Sequence, residues 1–235
     1  MPPDAIGSGV RLCVGVTAHR DLVPDEIPGL ESAVREFLDG LARDFPQLPL
    51  QLITPLAEGG DQLAARVAIS MGIPIVAVLP MSQSEYEKDF QTEGDLAEFR
   101  RLLANAAEVI TMPQLKDGDG ARVKQYAQLG VFVSNHCHVL LALWDGRPGR
   151  ELGGTGQVVE YHLNGVMPDF DEDPSPASLL ADNENDLVYQ IVCSRNRPGG
   201  APADELKALD AFWFSSLRDR EKSQTIPDDY RVLLT

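Results

Sequence analysis

The chain is short of the residues that define several large protein classes. It has three cysteines in 235 residues, Cys13, Cys137 and Cys193, each in an apolar segment and none at metal-ligand spacing. A disulfide framework and a zinc signature are both excluded, and reduced thiols in a cytoplasmic protein are expected. Basic residues are also scarce, 20 against 36 acidic ones, for a formal net charge of −16. Proteins that grip nucleic acid by neutralising its phosphates usually carry the opposite excess, so no nucleic-acid partner is expected. No apolar run approaches the length of a bilayer span, and the first residues lack the basic-then-apolar order of a secretion signal, so no membrane association is expected either. A Walker lysine loop and a serine nucleophile elbow are likewise missing.

What is present is a 43% hydrophobic composition, enough to bury the core of one large or two small domains. Apolar runs of strand length at 11–17, 50–55, 73–79, 109–112, 139–144 and 188–194 alternate with helix-like segments at 27–45, 61–71, 84–107, 122–135 and 157–164. In 27–45 the apolar residues Leu30, Val34, Phe37, Leu38 and Leu41 fall at helical spacing. Such alternation implies right-handed crossovers and a mainly parallel sheet. The fold expected is α/β, Rossmann-like and doubly wound, with helices on both faces, filling residues 1–195. Residues 169–186, acidic and without a basic residue, read as an exposed loop. Residues 196–235 read as a Pro/Gly linker followed by an amphipathic helix over 204–220, carrying Leu206, Leu209, Phe212, Trp213 and Leu217.

Ligands of open α/β sheets sit beyond the carboxyl ends of the strands, so the turns that follow strands are the candidate site. After the first run come Gly15, Thr17, Ala18, His19 and Arg20, a small residue, a hydroxyl, an imidazole and a guanidinium together. Arg20 suits a phosphate, and His19 a phosphate or sugar. After the second run, Glu58, Gly59, Gly60 and Asp61 open a helix, with Asp61 as its cap or as an acceptor for ribose hydroxyls. Pro80 follows the third run, where a turn would wall in a base. The densest signal is Gly153-Gly154-Thr155-Gly156-Gln157-Val158-Val159-Glu160. Glycines there let backbone N–H groups and a helix dipole meet an anion without a lysine. The paired histidines of His136-Cys137-His138 alternate on a strand, which makes a compact metal site awkward, and no metal or cofactor is expected.

Together these turns resemble the SLOG superfamily, which joins the DNA-processing Smf proteins with the LOG nucleotide hydrolases, over most of residues 10–195. Val14-Gly15-Val16-Thr17-Ala18-His19-Arg20 is similar to its first-strand turn, with Ala18 at the usual glycine. Leu56 to Ala64 is similar to the turn after its second strand. The run from Gly153 to Glu160 is similar to the LOG signature, departing at Leu152 for proline and at Gln157 for threonine. In LOG enzymes a motif glutamate and an arginine of the preceding helix cleave the N-glycosidic bond of nucleoside monophosphates. The resemblance puts that glutamate at Glu160, whereas the arginine's place falls near Asn135, so the catalytic pair is incomplete. Binding survives such a loss better than hydrolysis does.

The expectation is therefore a sensor module for a nucleotide or nucleotide-derived signal, ADP-ribose-like or cyclic, of the type found in bacterial conflict systems. A homo-oligomer and an effector domain or partner protein are expected with it. The alternative is a LOG-like phosphoribohydrolase with Glu160 as its catalytic residue.

Overall fold

The computed structural model describes residues 10–115, 120–149, 151–167, 170, 186–216 and 220–233. In chain order the elements are β1 (Leu12–Ala18), α1 (Ile27–Asp44), β2 (Leu50–Thr54), α2 (Gly60–Ser70), β3 (Ile75–Leu79), α3 (Gln83–Tyr86), α4 (Glu93–Ala104) and β4 (Glu108–Thr111). There follow α5 (Ala121–Asn135), β5 (Val139–Trp144), α6 (Thr155–Asn164), β6 (Val188–Val192), β7 (Ala211–Phe214) and α7 (Asp228–Leu233).

The strands form one sheet in the order β4-β3-β2-β1-β5-β6-β7. All neighbours are parallel except β6 and β7. The fold is thus the expected Rossmann-like α/β arrangement, and the order reverses between β1 and β5. Every residue of β3 and β5 is buried, as strands covered on both faces require. One face packs against α1, α2 and α4, with Leu38, Leu63 and Phe99 in its core. The other packs against α5 and α6, with Leu129, Val159 and Tyr161. Helix α1 buries the five residues that its spacing singled out, and its Phe37 stacks on Tyr189 of β6 at 4.4 Å. Truncating a fully buried leucine such as Leu38 to alanine costs about 2–5 kcal/mol in a core of this kind.

Two segments differ from their sequence reading. The long helical stretch at 84–107 breaks into α3, a short 3₁₀ turn and α4, because Thr92 is extended and caps α4 by accepting from the Asp95 N–H at 3.1 Å. The helix expected over 204–220 is not formed over its described residues 204–216. Glu205 and Leu209 both have φ of +72°, which a helix does not tolerate, and Ala211–Phe214 instead pairs with β6. Its side chains alternate across the sheet, Trp213 into one core and Phe212 and Phe214 into the other. Most of the acidic stretch at 169–186 lies outside the described residues. Asp186 at its end is buried and accepts from the Ser216 N–H at 2.9 Å and from the Tyr230 hydroxyl.

Cys137 and Cys193 are buried and Cys13 half-buried, all three unbonded to one another. Among the described residues no helix is long and apolar enough to cross a membrane.

Candidate functional site

At the reversal between β1 and β5 the carboxyl ends of the strands open into a cleft of about 700 Å³. Its position follows from topology: the crossovers from β1 and β5 leave in opposite directions, so nothing fills the space between their first turns.

The β1 turn is built by close packing of small residues. The Gly60 N–H donates to the His19 carbonyl at 3.0 Å, and a side chain on Gly60 would meet Ala18 Cβ at 2.4 Å. Gly59, at φ +81°, lies directly on the backbone of Arg20, where an added Cβ would come 2.2 Å from the carbonyl oxygen. These contacts fix the path on which Thr17, Ala18, His19 and Arg20 enter the cleft.

Opposite stands the amino end of α6. Gly153, at φ +75°, sits against the backbone of Tyr126 and Ala127, and Gly156 against Arg147 and Gly149. Gly154 caps the helix with no side chain, and its carbonyl accepts from the N–H groups of Gln157 and Val158. The N–H groups of Thr155 and Gly156 have no hydrogen-bond partner among the described residues and lie in the cleft wall. This is the end of a helix that attracts anions.

Cations share the cleft with it. Arg20, Arg147, Arg195 and Arg197 line the cleft, against the carboxylates of Asp61, Asp145 and Glu151. The Arg147 guanidinium donates to the carbonyls of Ala201 and Pro202, both at 3.1 Å, and so keeps its charge uncompensated there. Arg195 pairs with Asp21 at 2.7 Å, whereas Arg197 is 4.0 Å from the same carboxylate and half exposed. The strap bearing Arg195 and Arg197 is pinned along its length: Asn196 N–H to the Asp21 carbonyl, Arg195 N–H to Gly200, and Ala203 N–H to Asp145.

The cleft's floor is polar and buried. Arg20 lies over the Tyr126 ring, 5.4 Å from its centroid. Burial works against its charge, but the hydroxyls of Tyr86 and Tyr126 and the Asp61 carboxylate outweigh burial and hold the guanidinium above its ordinary pKa. Burial pushes Asp61 up to about 7, opposed by Arg20 and the Ala57 N–H. It likewise raises Tyr86 well above a free tyrosine. Asp61 Oδ1 and the Tyr86 hydroxyl are buried with no hydrogen-bond partner among the described residues. Tyr126 donates to Asp89, and burial together with that bond lifts it to about 12. His19 Nε2 stands 3.2 Å from Asp145 Oδ1 without the alignment of a hydrogen bond. Burial opposes the charge on Asp145, but His19 and the Arg147 N–H hold its carboxyl below the usual range.

The candidates from the sequence thus divide. Thr17, Ala18, His19, Arg20, Asp61, Gly153, Gly154, Thr155 and Gly156 come together around one cleft. Gly15, Glu58, Gly59, Gly60, Pro80, Gln157 and Glu160 are not among the lining residues. Gly15 packs on Cys137, Glu58 accepts from the Gln91 N–H, and the Gln157 side chain accepts from the Gly153 N–H. Glu160 is held by Arg220 and Asn164. Sequence reasoning missed Tyr86 and Tyr126, and also Asp145, Arg147, Arg195 and Arg197. The last four follow β5 and β6 directly, where the carboxyl-end rule points. The two tyrosines come from helices and carry no sequence signal. The histidines of 136–138 have local partners: His138 Nδ1 accepts from the Cys13 N–H, and His136 Nδ1 lies 2.7 Å from the Phe132 carbonyl.

Fold and cleft define a Rossmann-like α/β protein with a ligand-sized opening at the topological switch. No protein-family model and no curated protein matches the chain. Among solved structures it is similar to DNA processing protein A (DprA) from Streptococcus pneumoniae, at 15% identity and a TM-score of 0.43, over 63% of this chain and 45% of that one. It is also similar to DNA processing protein A from Helicobacter pylori, at 20% identity and a TM-score of 0.27, over 64% of this chain and 73% of that one. The match therefore spans less than half the length of the first. The Helicobacter pylori structure is described by its single-stranded DNA binding mode. The expectation of no nucleic-acid partner is corrected accordingly. It rested on net charge alone, and net charge does not describe a cleft where four arginines meet three carboxylates. The expected homo-oligomer finds no support.

Proposed function

We propose that the chain binds a phosphate-bearing small molecule of the nucleotide class in the β1/β5 cleft, as a sensor module. The observation that carries this is the meeting of the α6 amino end, with the free N–H groups of Thr155 and Gly156, and the guanidinium groups of Arg147 and Arg197. Backbone N–H groups and guanidinium groups lining one cleft suit an anion with several acceptor oxygens, and the volume suits a nucleotide better than a lone ion. The strap carrying Arg195 and Arg197 lies on the chain between β6 and β7, so the cleft's cations precede the edge strand of the sheet in sequence.

Calorimetric titration of the whole chain with AMP, ADP-ribose and inorganic phosphate tests this. Saturable binding is expected, weakened about tenfold or more by Arg147→Ala with Arg197→Ala, since each removes a charge-assisted contact. No binding of any of the three would overturn the proposal. A single-stranded oligonucleotide that binds while mononucleotides do not would transfer the same cations to a phosphodiester backbone.

A further inference from the structure

Besides His19 Nε2, which faces Asp145, two buried polar atoms on the floor of the cleft have no hydrogen-bond partner among the described residues, and neither serves the anion-binding wall. Asp61 is 4% exposed and Tyr86 is 1% exposed, both line the cleft, and Asp61 Oδ1 and the Tyr86 hydroxyl have no hydrogen-bond partner among the described residues. A buried carboxylate oxygen and phenol without partners cost stability that a hydrophobic floor would not, so their place at the bottom of an open cleft points to a ligand that satisfies them.

We infer that Asp61 and Tyr86 form a subsite for the vicinal hydroxyls of a ribose, so that the cleft takes a ribose phosphate unit with its phosphate on the α6 wall. This rests on the proposed binding of a phosphate-bearing ligand and adds the group that follows the phosphate. The chemistry is complementary: the Asp61 carboxyl accepts, and donates as well when it holds its proton, a phenol donates and accepts, and each hydroxyl of a diol does both. A nucleobase edge offers a donor beside an acceptor too, but bases are held largely by stacking, and the rings here are taken. Tyr86 packs against Phe90, Phe99 and Tyr126, with centroids at 5.3, 5.4 and 6.2 Å, and Tyr126 carries Arg20 over its ring. The floor therefore holds hydrogen-bonding groups without an open aromatic face among the described residues.

The test is titration of the whole chain with AMP, its dideoxy analogue lacking both ribose hydroxyls, ribose phosphate and inorganic phosphate, repeated on Asp61→Asn and Tyr86→Phe. Both substitutions keep the side chain's shape, and circular dichroism checks their folding. In the wild type AMP is expected to bind at least about tenfold tighter than the dideoxy analogue, a factor that one charge-assisted hydrogen bond supplies. Asp61→Asn and Tyr86→Phe should each shrink that ratio several-fold and leave inorganic phosphate unchanged. Equal binding of AMP and its dideoxy analogue by the wild type, or an undiminished ratio in both variants, overturns the subsite while the phosphate site stands. Loss of binding for every phosphate probe overturns both. Ribose phosphate binding as tightly as AMP marks a sugar phosphate as sufficient; weaker binding with the ratio preserved marks a nucleotide, and either outcome supports the diol.

Discussion

Arg220 holds Glu160 with both terminal nitrogens, at 2.9 and 2.7 Å, and the pair stands apart from the residues that line the cleft. The glutamate of the LOG-like run is thereby committed to the segment that follows β7. Glu160→Gln should leave AMP affinity within about twofold, and, because the pair is partly exposed, should lower stability by no more than about 1 kcal/mol. Chromatography of AMP incubated with the wild type should show no released adenine. Adenine release that Glu160→Gln abolishes would restore a hydrolase.

Glycine substitutions separate backbone need from mere presence. Gly59→Ala places a Cβ 2.2 Å from the Arg20 carbonyl at a positive φ, so it should cost more than about 2 kcal/mol and weaken phosphate binding by displacing Arg20. Gly40, inside α1, has nothing within 4 Å of an added Cβ. Gly40→Ala should stabilise the chain by about 0.5–1 kcal/mol, the helix-propensity difference, with binding unchanged. Chemical denaturation checks both.

His162 makes stability fall in mild acid. It is buried between Ser134 and the Leu187 carbonyl, and burial lowers its pKa from the ordinary 6.5 to about 4. The unfolded chain takes up a proton as pH falls through 6.5, while the native chain does not until about 4. Stability from this group is complete above 6.5 and should drop by about 2 kcal/mol between pH 7.5 and 5. His162→Gln should flatten that slope in urea titrations.

Asp61 acts with the opposite sign. Its folded pKa is raised from 3.8 to about 7, so the native state keeps a proton that the unfolded state has lost. The stabilisation is complete below 3.8 and disappears as pH rises through 7. Asp61→Asn, which does not titrate, should therefore gain on the wild type by about 3 kcal/mol more at pH 8 than at pH 4.5. A ligand-binding loss together with a stability gain at high pH is the combination expected of a group kept for function.

The fold was largely legible because β3 and β5 are unbroken apolar runs, and α1 shows its buried face as a 3.6-residue period. The failure at 204–220 has a definite cause. Leu206, Leu209, Phe212 and Trp213 match helical spacing, but Leu209 sits at a positive φ against Gly29, and Phe212 and Trp213 alternate across a sheet. Phe212 and Trp213 continue the helical spacing of Leu206 and Leu209 and equally suit a strand buried on both faces, and only pairing with β6 decides between them. At the site, turns that follow strands announced themselves through glycine, whereas Tyr86 and Tyr126 are brought in by tertiary packing of α3 and α5, which no local pattern encodes.

The strap from Arg195 to Ala203 has a length set from both ends. At one end its arginines reach the cleft, and at the other the Ala203 N–H is tied to the Asp145 carbonyl just past β5, while residues 204–210 bring the chain on to β7. One residue more or fewer between those two ties would move the arginines relative to the cleft and leave the pairing of β6 with β7 as it is. Changes of length in this part of the chain should therefore fall in 204–210, with the strap itself varying by replacement.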